Sequence, residues 1–183
     1  MPGVADIVFL GVAPAKAKVL CIFVHGRSQS PEEMEAAVIH RLSAPDVAFA
    51  LPRAEGKSWY TARAIDPLTD ATQTELSASL QGLASAITDL RTKAPGLPLV
   101  LAGFSQGACL TSETVLRNPR PYGFVGVLSG GAIGPPGTPR DSTSSADEAV
   151  RLALGRLRRA RAGAPVRAAG APSSHAPRRR VDR

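Results

Sequence analysis

Short unbroken apolar runs alternate along this chain with longer stretches whose apolar residues recur at helical spacing. Residues 19–24 and 124–128 are continuous apolar runs, the pattern of strands buried on both faces of a parallel sheet. Residues 7–12 read as an edge strand, turned by Ala13 and Pro14 into the strand at Val19. Residues 47–51 read as a short strand ended by Pro52, and residues 97–102 as one more strand. Between them lie helical signals. Ser30-Pro31-Glu32-Glu33 combines an N-cap, a proline at the first helical position and carboxylates in the first turn, which predicts a helix to about Leu42. Leu76, Leu80, Leu83, Ala84 and Ile87 fall on one face of a helix over residues 72–93, stopped by Pro95-Gly96. Residues 106–117 are helix-compatible up to Asn118-Pro119, and residues 130–137 read as loop. Strands alternating with helices predict an α/β fold, a mostly parallel sheet with helices on both faces. The pattern fades after about residue 140, so the sheet is expected to be incomplete there. No internal repeat is visible.

A length of 183 residues suits one domain of ordinary size. The net charge of +7 changes meaning once it is divided. Residues 1–140 carry 12 Lys and Arg against 11 Asp and Glu, whereas residues 141–183 carry 10 against 4. The basicity therefore belongs to a tail at 141–183, and the domain at 1–140 lacks the basic surface that nucleic-acid binding wants. No run approaches the roughly 18 apolar residues of a membrane span, and no cationic segment precedes residues 7–12 as in a secretory signal. The cytoplasm is the expected location. Cys21, in a predicted buried strand, and Cys109, in a predicted helix, read as inert core thiols.

The chemistry concentrates where the fourth apolar run drives into Gly103-Phe104-Ser105-Gln106-Gly107. Strand, sharp turn and helix is the order in which G-x-S-x-G forms a nucleophile elbow, with the serine hydroxyl exposed at its tip. The glycines leave room for the helix to pack beside the strand, and the Ser105 backbone stands near the positive end of a helix dipole. The alternative is a structural serine in an ordinary strand-to-helix turn. Acyl transfer also needs two N–H groups aimed at the developing oxyanion. Gln106, after the nucleophile, supplies one. The loop His25-Gly26-Arg27-Ser28, following the run 19–24, is placed to supply the other from Arg27; read alone, it is equally a plain polar turn.

Residues 23–34 (Phe-Val-His-Gly-Arg-Ser-Gln-Ser-Pro-Glu-Glu-Met), Gly56-Lys-Ser-Trp-Tyr60, Ala102-Gly-Phe-Ser-Gln-Gly-Ala108 and Leu128-Ser-Gly-Gly131 resemble, in order and spacing, the phospholipase/carboxylesterase family of α/β-hydrolases. The likeness covers roughly residues 7–140. It implies hydrolysis of carboxylic esters or thioesters by a Ser-Asp-His triad, with no metal and no cofactor. Ser105 would be the nucleophile, with the amides of Arg27 and Gln106 as the oxyanion hole. Trp59 and Tyr60 are similar to an aromatic pair near the acyl pocket, with plain core packing as the alternative. The implied partner is a small-molecule ester or thioester; the oligomeric state is left open.

The resemblance also implies a further strand, an Asp after it, another strand and a Gly-His, none of which is recognisable after residue 140. Residues 141–183 contain no Phe, Trp, Tyr, Ile, Met, Asn, Gln, Cys or Lys, although residues 1–140 use all of them. Three readings compete: a disordered Arg-rich tail, a basic amphipathic helix over residues 147–161 with Val150, Leu154 and Leu157 on one face, and translation out of frame. The last is preferred, because shifting frame in a G+C-rich gene yields Arg, Ala, Gly and Pro and suppresses residues whose codons need A or T. The resemblance implies that His25, where the family also carries His, shapes its loop, while His40 reads as a helix surface residue. His175, Asp141 and Asp147 lie in about the right order for a triad, yet follow no predicted strand, so no base or acid is assigned. Two functions remain: a serine carboxylesterase, impaired by loss of its Asp and His, or a non-catalytic remnant with a basic anion-binding tail.

Overall fold

The computed structural model describes residues 3–136 and residue 138. The readings that fall on residues 141–183, including Asp141, Asp147, His175 and the 147–161 helix, lie outside the described residues. Five strands form one sheet, in the spatial order Val4–Gly11 (β1), Val47–Ala54 (β3), Val19–Val24 (β2), Leu99–Phe104 (β4) and Phe124–Leu128 (β5). β1 runs antiparallel to β3, while β2, β4 and β5 run parallel to it and to one another. At the centre Ile22 of β2 stands between Ala50 of β3 and Leu101 of β4.

The period of two along the strands sorts the core into two layers. Leu20, Ile22 and Val24 of β2, with Leu99 and Leu101 of β4, pack against the helices α2 (Asp70–Lys93) and α3 (Gln106–Arg117). Cys21 and Phe23 face the other way, with Phe49, Leu51 and Ala102, onto Met34 of α1 (Pro31–Ala37) and Ile39. The predicted α/β sheet with helices on both faces is what forms. Both faces of β2 are buried for that reason, which is why its sequence reads as one apolar run.

The capping signals act as expected. The Ser30 hydroxyl accepts from the Glu33 amide at 3.3 Å, with Pro31 opening α1. Thr69 caps α2, which starts at Asp70 rather than Thr72. Four further predicted boundaries differ. The helix expected to reach Leu42 breaks at Val38 (φ −123°, ψ −60°) and continues as a 3₁₀ turn, Ile39–Arg41; the adjacent β-branched Val38 and Ile39 are poor helix residues, and Ile39 turns inward to the core. The first strand begins at Val4, three residues early. β4 is shifted to Leu99–Phe104, beginning just after Pro98. β3 continues through Pro52 to Ala54. Pro52 is tolerated because its nitrogen points to the same side as that of Ala54, beyond the last β2–β3 pair, so no ladder bond is lost.

β5 is a further correction. Its apolar run predicts burial on both faces, yet Phe124 is 47% exposed and Val127 and Leu128 are each 42% exposed. Among the described residues β5 pairs only with β4, so it is an edge strand. An apolar run reports the surroundings a strand wants, not the neighbours present.

Candidate active site

β2 and β4 are neighbours and parallel, so the loops that leave their carboxyl ends, at His25 and at Ser105, lie side by side beyond the same end of the strands. Ser105 occupies the turn between β4 and α3 with φ 53° and ψ −116°, a conformation rare for a residue with a side chain. Its side chain makes no capping bond to the helix. Two bonds fix the turn: the Ser105 N–H donates to Leu128 O at 2.9 Å, and the Cys109 N–H donates to Ser105 O at 3.1 Å. The flanking glycines are dictated by backbone contacts. A Cβ on Gly103 would collide with the Gly107 carbonyl, and one on Gly107 with the carbonyls of Val24 and His25. The first turn of α3 thus rests directly on the backbone at the end of β2.

The loop after β2 uses most of its own amides. Gly26 N–H donates to Gln29 Oε1 at 3.1 Å, Ser28 N–H to Lys57 O at 2.7 Å and Gln29 N–H to Gly26 O at 3.2 Å. The Arg27 N–H is left without a hydrogen-bond partner among the described residues. Gln106 lies in the first turn of α3, where helix geometry also leaves N–H groups unpaired.

Trp59 and Tyr60 are each 2% exposed and belong to the core cluster under α2 and α3. Their segment is tied to the elbow by the Gln106 side chain. Its Oε1 accepts from Trp59 N–H at 3.1 Å, and its Nε2 donates to Tyr60 O at 2.6 Å. Trp59 Nε1 donates to His25 O at 2.8 Å, and the Ser79 hydroxyl to Trp59 O at 2.6 Å. The Arg27 guanidinium bonds the carbonyls of Thr61, at 2.9 Å, and Ala62, and its carbon lies 5.9 Å from the Tyr60 ring centroid. Burial holds the Tyr60 phenol above its ordinary range, with Cys109 and Glu113 adding to the effect.

Sequence reasoning missed these side-chain roles of Gln106 and Arg27, because their partners lie 34 to 47 residues away along the chain. It also missed Glu113, fully buried in α3, whose carboxylate accepts from Ile133 N–H and Arg117 Nε, both at 2.9 Å. The only local signal was its spacing of four from Arg117.

Both described histidines are engaged elsewhere. His25 is 1% exposed with both ring nitrogens bonded, and His40 Nε2 lies 3.1 Å from Glu35 Oε1 on the surface. Cys21 and Cys109 are free and buried, and burial pushes the Cys21 thiol up to about 12. No helix among the described residues is long and apolar enough to cross a membrane.

Comparison with known proteins bears on the family and the fold. The phospholipase/carboxylesterase family model matches residues 10–155. A crystal structure of a phospholipase/carboxylesterase from Dyadobacter fermentans is 30% identical with a TM-score of 0.66, over 73% of this chain and 64% of that one. The chain thus spans 64% of the length of that relative. Esterase PE8 (24% identity, TM-score 0.54, 82% of this chain and 83% of that one) shares the fold. So does acyl-protein thioesterase 2 of Zea mays (14% identity, TM-score 0.57, 81% and 72%). No curated protein matches the chain. With the family model spanning most of its length, the chain belongs to the phospholipase/carboxylesterase family.

Proposed function

We propose that the chain is built as a serine hydrolase of carboxylic esters or thioesters, with Ser105 as nucleophile and the amides of Arg27 and Gln106 as its oxyanion hole. The observation that carries this reading is the turn at Ser105. A non-glycine residue held at φ 53° between a strand and a helix is strained, and such strain clusters at functional sites. The unpaired Arg27 N–H supports the second half, since a donor kept free beside the elbow suits a charge that appears only during reaction. Trp59 and Tyr60 enter as the packed wall on the acyl side, held to the elbow by Gln106.

In this mechanism Ser105 Oγ bonds to the carbonyl carbon while the C=O π pair moves onto oxygen, where the two amides receive it. Collapse of the tetrahedral species expels the alcohol or thiol, and water then hydrolyses the acyl-enzyme. The Ser105 proton passes to solvent water, which in turn protonates the departing alkoxide or thiolate; neither His25 nor His40 takes it in this reading, since both are bonded elsewhere. Their engagement favours the second reading, a non-catalytic relative that holds an acyl ligand. Residues 1–140 serve as the hydrolase domain and 141–183 as an appended tail, in the cytoplasm, with a small-molecule substrate and no cofactor. A fluorophosphonate probe with peptide mapping tests the role of Ser105. Adduct on Ser105, lost in Ser105→Ala, supports the nucleophile; equal labelling of both proteins removes Ser105 from that role.

A further inference from the structure

His25 joins three segments of the site through a single ring. Its Nδ1 lies 2.8 Å from Gly26 O, and its Nε2 lies 3.0 Å from the Ala54 nitrogen. Ala54 N–H can only donate, so Nε2 must be the acceptor, and the proton of the neutral ring sits on Nδ1, where it donates to Gly26 O. Ala54 is the last residue of β3, beyond the reach of the β2 ladder, so the imidazole takes the place of a strand partner. The His25 carbonyl accepts from Trp59 Nε1 at 2.8 Å, and the imidazole lies against the Trp59 ring, centroids 4.8 Å apart and planes tilted by 35°.

We propose that His25 is a positioning residue: neutral, with its proton on Nδ1, it locks residues 25–28 against β3 and Trp59, and protonation of Nε2 releases that loop. A protonated Nε2 faces the Ala54 N–H as donor against donor, so the bond is replaced by repulsion in a buried place. The consequence for catalysis rests on the proposed role of the Arg27 amide, since that N–H belongs to the loop His25 holds. The charged groups that bear on the ring are Arg53 on β3, which opposes its protonation, and Glu32 and Glu33 on α1, which favour it. Burial is the largest influence and holds the imidazole below its ordinary 6.5. The sign follows. The unfolded chain takes up the proton first, so the lock is at full strength above about pH 6.5 and weakens as pH falls below it.

Trp59 is the only tryptophan of the chain, so its emission reads this contact directly. An imidazolium against an indole quenches it. The expected result is a fall in Trp59 emission with a midpoint below pH 6.5 and an unchanged far-UV circular dichroism spectrum. That transition is absent in His25→Gln and intact in the surface control His40→Gln. Should His25→Gln not fold, ¹⁵N–¹H correlations of the histidine rings in the wild type decide, with the proton expected on Nδ1 at pH 7.5. Flat Trp59 emission from pH 7.5 to 4.5, a transition that persists in His25→Gln, or a proton on Nε2 would overturn the proposal. The labelling rate of Ser105, followed over the same pH range, separates the two readings. A drop in rate at the Trp59 midpoint that is present in the wild type and absent in His25→Gln supports the coupling, and the same pH dependence in both proteins overturns it. Trp59 titration with Ser105 unreactive at every pH supports the lock and contradicts the nucleophile.

Discussion

At φ 53° Ser105 stands in a backbone region that costs a residue with a side chain on the order of 1–3 kcal/mol. Ser105→Gly should therefore stabilise the protein by about 1 kcal/mol in urea unfolding, while removing all Ser105 labelling; a loss of stability would show the turn to be unstrained. The glycines behave oppositely. Gly107→Ala drives a methyl into the Val24 and His25 carbonyls and is expected to cost about 3 kcal/mol or more, read as a lower urea midpoint. An unchanged midpoint would mean that α3 does not rest on β2 as closely as described. These residues are legible in the sequence because the motif is local: five consecutive positions name the turn and its steric needs. Gln106 shows the limit. Its amide was readable from the motif, but its side chain bonds Trp59 and Tyr60, a pairing fixed by topology rather than by neighbours in sequence. Gln106→Leu leaves those two backbone groups buried and unpaired, at about 1–3 kcal/mol each. The loss should appear in urea unfolding together with a shift in Trp59 emission.

At the scale of elements, strand and helix identity followed from period and capping, because those signals report local geometry. The misplaced boundaries share a cause. Pro52 looks like a stop until its nitrogen is seen to face the ladder's end, where β2 no longer pairs. The helix opened at Ser30 looks longer than it is because Ile39 satisfies an apolar period while turning into the core. β5 is the most consequential difference, since Phe124, Val127 and Leu128 are exposed and no charged residue interrupts the strand. An open apolar edge of this kind is an association hazard. Phe124→Lys is expected to lower concentration-dependent light scattering with little change in the urea midpoint; undiminished scattering would show that association arises elsewhere.

For the molecule as a whole, family membership and site chemistry are separate questions, because the chain spans 64% of its Dyadobacter relative and neither described histidine is free to act as base. Losing a triad histidine costs on the order of 10⁶ in kcat, while binding and an oxyanion hole keep about 10³–10⁴ over water. Turnover of p-nitrophenyl acetate is accordingly expected near background, and ordinary enzyme rates that vanish in Ser105→Ala would place a base outside the described residues. The fold class, the elbow and the loop at His25 were legible in residues 1–140, where period and motif agree. Residues 141–183 offered only composition, and composition carries no register, turn or partner. The proposed chemistry stands or falls on a nucleophile at Ser105 that does not depend on a described base. Fluorophosphonate labelling with peptide mapping tests it most directly. Slow, single-site adduct on Ser105 that is absent in Ser105→Ala is the expected result, and adduct elsewhere or equal labelling of both proteins would remove Ser105 as the nucleophile.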